Sequence, residues 1–372
     1  MSYAVAQVLP ALEAGGVERG TVEVARALTA AGQRSIVISA GGRLVKELTA
    51  TGSQHVQLPI GHKSLLVLRQ IPRLREIFSQ VDIVHARSRF PAWLSWLAVK
   101  GMEPGRRPAF ITTVHGAYSV NPYSRIMTRG NRVIAVSDFI HDYITSNYPD
   151  CDPDRIITIH RGIDPDVYYQ GYQPDSAWLR TWYATYPQLK EKFVMALPGR
   201  ITRRKGHEDF ISAIAGLSNK GMNIHGLIIG GAHPSKKSYT RKLERHVDKA
   251  GLRDRITFTG HRDDLREIMS TCQVICCISR QPESFGRTAL EALCLGIPVV
   301  AYDHGGAGEI LRRLFAEGLV PPGEAGGIIQ RVETFYRLKP TVSADNPFLL
   351  ATMLSQTLAC YAACRSAAKP DT

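Results

Sequence analysis

No apolar run in this 372-residue chain approaches the ~20 residues that a helix needs to cross a bilayer, so no membrane-spanning helix is expected. The opening stretch, MSYAVAQVLPALEAGG, has neither the basic n-region nor the apolar h-region of a signal peptide. The seven cysteines are irregularly spaced and form no CxxC pair. Cys276 and Cys277 sit in an apolar run and read as core, while Cys360 and Cys364 share a helix face and read as packed rather than bridged. A reduced, cytoplasmic setting is therefore expected. HExxH and Cys/His clusters are missing, which removes two of the common metal-site patterns, and no GxSxG elbow of a serine hydrolase occurs. Low-complexity tracts and short repeats are absent too.

What is present is a globular composition, 44% hydrophobic and 21% charged, long enough for two ordinary domains. The net charge of +13 is unevenly spread. Residues 1–132 hold 17 Lys and Arg against 7 Asp and Glu, a local +10, and the remainder is close to balance at +3. The excess includes Lys63, Arg69, Arg73, Arg75, Arg87, Arg89, Arg106 and Arg107. Such a patch favours an anionic partner: a membrane surface, a phosphorylated glycolipid or a nucleic acid. A solvated basic surface explains the charge equally well.

Short apolar runs alternate with helical patterns along the whole chain. Tyr3–Leu9, SIVIS at 35–39, VDIVH at 81–85, AFITTV at 109–114 and RVIAV at 132–136 read as strands. A second series begins after Asp164-Pro165 with KFVMAL at 192–197, HGLII at 225–229, RITF at 255–258, QVICCI at 273–278 and IPVVA at 297–301. The segments between them carry helical periodicity, as in Val17–Ala31 and His207–Leu217. This βαβ alternation predicts an α/β protein with two parallel-sheet domains. The expected bounds are 1–165 and 166–344, followed by a helix over 345–366 that packs back towards the first domain.

Four constellations carry chemistry. After the first strand, Ala14-Gly15-Gly16-Val17-Glu18-Arg19-Gly20 is a strand-to-helix turn whose amides suit a phosphate, although it is neither GxGxxG nor a P-loop. A tight βα turn with no ligand has about equal standing. After KFVMAL, Gly199-Arg200-Ile201-Thr202-Arg203-Arg204-Lys205-Gly206 concentrates four cations before a helix, with Arg200 and Lys205 the stronger diphosphate candidates. His115 lies with Gly116 at the carboxyl end of a strand, where open α/β sheets bind ligands; His85 and His160 near other strand ends are weaker candidates. Asp303-His304-Gly305-Gly306-Ala307-Gly308-Glu309 is either an amide-lined loop or a flexible surface turn.

The most informative stretch is Pro282-Glu283-Ser284-Phe285-Gly286-Arg287-Thr288-Ala289-Leu290-Glu291, read as loop into helix. A helix N-terminus attracts phosphate, yet carboxylates flank this one. Acids do not bind phosphate, but they suit hydroxyl-rich groups attached to one, such as a ribose and a sugar. The local physics therefore points to a nucleotide-sugar site.

Taken in order, these motifs resemble those of the retaining GT-B glycosyltransferases of family 4: Gly15-Gly16-Val17-Glu18, His115-Gly116, Val133–Ser137, Arg161-Gly162-Ile163-Asp164, Gly199-Arg200 with Lys205-Gly206, Glu283 through Glu291, and Gly305-Gly306 with Glu309. The resemblance implies a GT-B fold, with two Rossmann-like parallel-sheet domains facing across a cleft. It implies that Gly15 and Gly16 approach the donor diphosphate or the acceptor, and that Arg200 and Lys205 hold the diphosphate. Glu291 would bond the ribose, Glu283 the transferred sugar, and His115 would face that sugar. Phe285, Gly286, Arg287 and Thr288 would line the donor pocket. Transfer would retain the anomeric configuration without a metal or other cofactor, the nucleotide-sugar being a co-substrate. Two positions depart from the family pattern. Arg161 stands where asparagine is usual, and Arg287 where a small apolar residue is common.

The strings GGVERGTVEVARAL and SAGGRLVKEL are similar to the subset that builds lipopolysaccharide core at the cytoplasmic face of the inner membrane. That narrower likeness implies a GDP-mannose or UDP-glucose type of donor and a glycolipid acceptor. It also implies peripheral docking on anionic lipid through residues 61–132, with Arg69, Arg73 and Arg75 near that face and Trp93 and Trp96 as aromatics that either meet lipid or fill the core. Three rivals remain at this level. A nucleotide-sugar epimerase would share the donor site; a nicotinamide enzyme would want GxGxxG; and a nucleic-acid-binding protein would explain the charge but not Glu283 and Glu291.

Overall fold

The computed structural model describes residues 2–13, 15–61, 64–232 and 237–368; Ala14 and Lys63 lie outside them. The chain divides into two compact units, Met1–Gly162 with Leu350–Thr372, and Ile163–Leu349.

The first unit holds seven parallel strands: β1 Ala4–Val8, β2 Arg34–Ser39, β3 Gln54–Gln57, β4 Ile83–Ala86, β5 Ala109–Val114, β6 Arg132–Ala135 and β7 Ile156–Thr158. Their spatial order is β3-β2-β1-β4-β5-β6-β7. The central strands are buried along their whole length, which is why they read as unbroken apolar runs. The edge strands escaped the sequence reading for the opposite reason. QHVQ at β3 is polar and half-exposed, and IIT at β7 is three residues long. Helix Gly16–Ala30 packs Val24, Ala25 and Leu28 inward. Helix Leu350–Ala368 belongs to this unit: Met353, Cys360, Tyr361 and Cys364 pack against Val5, Val24, Leu28 and Ile111.

The second unit holds six parallel strands: β8 Phe193–Pro198, β9 Ile224–Ile229, β10 Ile256–Gly260, β11 Val274–Cys277, β12 Val299–Tyr302 and β13 Leu319–Val320. Their order is β10-β9-β8-β11-β12-β13. Both sheets therefore reverse their winding once, between β1 and β4 in the first unit and between β8 and β11 in the second. A crevice opens outside the carboxyl ends of the strands at such a reversal, because the two loops there run in opposite directions.

Three expectations are revised or narrowed. Arg87 does not belong to a surface patch: it is 2% exposed, held within the first unit with Nη1 donating to Gln7 Oε1 at 2.6 Å. Trp93 and Trp96 follow the second of their two readings, packing against the core, with Trp93 donating to the Tyr123 carbonyl and Trp96 lying under the Lys100 ammonium. The Asp303–Glu309 segment is no loose turn, since Gly305–Leu314 is a helix whose first five residues are buried. The seven cysteines are free thiols.

Candidate active site

In the second unit, the loop after β8 and the loop after β11 meet at the winding reversal. The first loop ends in a short 3-10 turn, Arg203–Lys205, closed by Gly206. The second runs from Ser279 to Glu283. Lys205 Nζ donates to Glu283 Oε1 at 2.5 Å, and the Ser279 hydroxyl donates to the same oxygen. Burial by itself would raise the Glu283 pKa. The Lys205 charge, with the bonds from Lys205 and Ser279, more than offsets it and holds the carboxyl below its usual range. Lys205, Glu283, Ser279 and Thr288 line one small cavity floored by Leu197, Pro198 and Cys276.

Bonds from outside hold these loops in place. The Arg280 N–H donates to the Arg204 carbonyl at 2.7 Å, tying the two loops together. The Arg280 guanidinium clamps Asp209 in a bidentate pair at 2.9 and 2.6 Å, and Tyr302 donates to the same carboxylate at 2.9 Å. His304 Nε2 donates to the Ser279 carbonyl at 2.8 Å.

The next element is the helix Arg287–Cys294, capped by Gly286 at φ 89°. That left-handed conformation favours glycine, and a Cβ there would lie 2.7 Å from Ala307 Cα. The glycine-rich start of the Gly305–Leu314 helix presses against this loop, and the Gly306 N–H donates to the Glu283 carbonyl at 2.8 Å. Glu291 is 5% exposed and accepts from Arg287 Nε at 3.0 Å, one helical turn back. This pairing accounts for the arginine at 287: it faces the buried carboxylate rather than projecting as a free cation. Phe285 is buried edge-on against Phe348, with ring centres 5.7 Å apart. Arg200 is exposed and makes no ion pair among the described residues.

In the first unit, Gly15 caps the helix that begins at Gly16, and Gly16 is exposed. His115 follows β5. Its N–H donates to the Tyr118 hydroxyl at 3.3 Å, and its ring accepts from Arg161 Nη2, 2.9 Å from Nδ1. Burial, then the charges of Arg161 and Arg87, push the His115 imidazole well below its ordinary value. His85 is structural: Nδ1 meets the Tyr361 hydroxyl at 2.7 Å and Nε2 meets Thr113 Oγ1 at 2.6 Å. His160 lies 3.5 Å from Asp138.

The structure thus gathers Lys205, Glu283 and Thr288 around one cavity, with Gly286, Arg287 and Glu291 on the adjoining helix and Phe285 behind them. Gly15, Gly16 and His115 sit on the other unit. Ser279, Arg280 and Asp209 were missed, since a serine at a strand end and an Arg–Asp pair 71 residues apart leave no pattern in the sequence. Arg161 was noted only as a departure from a motif.

Two family models match the chain: Glycosyltransferase Family 4 over residues 14–167 and Glycosyl transferases group 1 over residues 183–344. A glycosyltransferase from Rickettsia africae, known from its crystal structure, is 30% identical, with 98% of each chain covered and a TM-score of 0.86. Anabaena HepE in complex with UDP-glucose is 19% identical, with 96% of this chain and 100% of that one covered and a TM-score of 0.81, a likeness of fold. The 2-deoxystreptamine glucosyltransferase of Streptomyces kanamyceticus is 29% identical over 178 residues, 45% of this chain and 44% of that protein. The chain spans about half the length of the curated relatives it matches, 44% to 63% for the first three. With two family models in tandem and a 30% identical relative matched end to end, the chain belongs to the family 4 glycosyltransferases of GT-B fold.

Proposed function

We propose that the chain transfers a hexose, with retention and without a metal, from a nucleotide-sugar of the UDP-glucose or GDP-mannose type to a lipopolysaccharide-core or related glycolipid acceptor. The observation that carries this reading is the arrangement at the β8/β11 reversal. A cation (Lys205) and a carboxylate (Glu283) share one cavity there, and a second, buried carboxylate (Glu291) stands one helix turn beyond. The ammonium of Lys205 has three donors, so it can hold Glu283 and a diphosphate oxygen together. Arg200, exposed and without an ion pair among the described residues, adds a second cation for the diphosphate. Glu283 and Glu291 accept from sugar and ribose hydroxyls respectively, and the amides of Gly286, Arg287 and Thr288 line the donor pocket. Gly16 fits close ligand approach for a steric reason: a Cβ there would meet nothing within 4 Å, so no packing contact in the protein requires glycine at this position.

In the step itself, the bond from the anomeric carbon to the diphosphate oxygen breaks and the bond to the acceptor oxygen forms on the same face. The acceptor proton passes to the departing diphosphate oxygen. The negative charge that grows on the diphosphate is stabilised by Lys205 and Arg200, placed before the reaction begins.

The acceptor side draws support from charge. Leu66 and Leu68 are 64% and 42% exposed beside the exposed Arg69 and Arg73, an apolar and basic strip suited to anionic lipid at the cytoplasmic face of a membrane. Among the described residues, no helix is long and apolar enough to cross a membrane, so contact of this kind would be peripheral. Thermal-shift titration with UDP-glucose and GDP-mannose tests the donor site. One of them should raise the melting temperature in wild type and lose about 10-fold or more in affinity in Glu291→Gln, the loss of one charge-assisted hydrogen bond. Equal binding by the variant sinks the ribose assignment. Transfer to Kdo–lipid A cores with and without EDTA tests the acceptor and the metal independence. Flotation with anionic vesicles at low and high salt tests the docking.

A further inference from the structure

Arg161 is the residue by which this chain departs from its family in the loop before Gly162-Ile163-Asp164. In the structure it reaches His115 from a different strand end. Its Nη2 lies 2.9 Å from His115 Nδ1 and 3.4 Å from Nε2. A guanidinium has donors only, so the ring nitrogen that meets it presents a lone pair. The nearer nitrogen is Nδ1, and this closer contact favours the tautomer with its N–H on Nε2.

Two further observations show that the arrangement is built in. A Cβ on Gly20 would lie 2.8 Å from Arg161 Nη1 and 3.3 Å from Arg87 Nη2, so the third glycine of the first motif clears space for both guanidinium groups. Arg161 also lines a cavity with Arg87, His85 and Thr113, and the buried Nε of Arg87 has no hydrogen-bond partner among the described residues. The charged and titratable groups around His115 are Arg161 from the loop after β7, Arg87 and His85 from β4 and its end, and Tyr118 from its own loop. Glu18 and Glu23 on the first helix act on Arg87.

We propose that Arg161 is a positioning residue for sugar transfer, fixing the tautomer and orientation of His115 so that Nε2 carries the N–H and offers it to a substrate oxygen. The inference rests on the functional reading above for the role of that N–H, but the Arg161–His115 coupling stands by itself. Asparagine, the usual residue at this position, is a shorter side chain with no charge. The cation both selects the lone pair on Nδ1 and opposes protonation of the ring, so His115 remains a one-donor group across the physiological range.

The test uses the full chain labelled with [15N]histidine, with the His115 signals assigned by their loss in His115→Gln. Two-bond 1H–15N spectra of the wild type should show a single Nε2–H tautomer for His115 and no titration near pH 6.5. Arg161→Met keeps the length and apolar stem of the side chain. It should give mixed tautomers and move the His115 titration up, because one neighbouring like charge is removed. The acid limb of kcat/KM for transfer should move with it, and Arg161→Lys should restore the titration more fully than the tautomer. Gly20→Ala displaces the guanidinium without deleting it and should scramble the tautomer to a smaller degree, which keeps the test open if Arg161→Met fails to fold. An unchanged His115 tautomer in whichever of these two variants is folded overturns the proposal. A wild type that shows the tautomer but transfers no sugar overturns the functional reading instead.

Discussion

The two units solve the same topological problem with different materials. At the β8/β11 reversal the key groups come from two short segments, 199–206 and 279–291, and opposite charges pair within them: Lys205 with Glu283, Arg287 with Glu291. At the β1/β4 reversal the polar groups come from Gly20, Arg87, His115 and Arg161, and from Tyr361 near the end of the chain. There a buried cation, Arg87, and a half-buried one, Arg161, stand beside imidazoles that resist a third charge. The first arrangement can be read from sequence because its partners are close in sequence. The second exists only after four strand ends and a distant helix have come together. The comparison also shows where each site is vulnerable. In the second unit one charge deletion strands its partner, whereas in the first a change of protonation does the damage.

The largest expected effect tests the paired site. Lys205→Ala removes a preorganised cation and leaves the half-buried Glu283 without its partner, so turnover should fall by about 10²–10³, the cost of losing one transition-state charge partner. Steady-state kinetics with saturating donor reads it, and wild-type turnover would take Lys205 out of the machinery.

Acid sensitivity comes next, and it applies to both units. In the second unit, burial pushes His207 and His225 down to about 4 from the ordinary 6.5, and both are nearly inaccessible to solvent. A base depressed in the folded state favours unfolding when protonated. Its contribution is complete above pH 6.5 and is lost as pH falls from there towards 4, on the order of 3 kcal/mol for each ring. His85 and His115, pushed well below the ordinary value, extend the same loss to lower pH. Urea midpoints at pH 7.5, 6 and 4.5 should therefore fall steadily. A flat profile would mean that these rings are solvated or already charged.

A smaller effect sharpens the role of backbone geometry at the paired site. Gly206 has φ 75°, and a Cβ there would lie 2.1 Å from the Ile278 carbonyl oxygen, a backbone atom that cannot swing aside. Gly206→Ala should cost about 1–3 kcal/mol in denaturant unfolding. It should also loosen Lys205, the preceding residue, so donor affinity falls along with stability. A variant as stable as wild type would show that the loop has room to shift.

Much of this molecule was legible beforehand, and the reasons are physical. Strands such as AFITTV are buried on both faces and so appear as apolar runs. The Glu283-to-Glu291 segment shows its loop, cap and helix in consecutive residues. What escaped was what depends on distance. The edge strand β3 lacks an apolar run because its two ends face solvent, and β7 is only three residues long. Arg87 looked like one more surface cation, because sequence shows charge but not the glutamine, 80 residues earlier, that accepts its hydrogen bond. Arg287 had no derivable role until the helix placed it one turn before Glu291.

The sequence by itself determined the family, the two-sheet architecture and the candidate donor-site residues, because these are written in local periodicity and contiguous motifs. Only the tertiary structure decided which charges meet: that Lys205 shares Glu283 with Ser279, that Arg280 ties both loops to Asp209, and that Arg161 rather than a carboxylate faces His115. Those pairings are set by where the carboxyl ends of the strands fall in the sheet. That order is fixed by the winding of the whole chain, and no single stretch of sequence carries it.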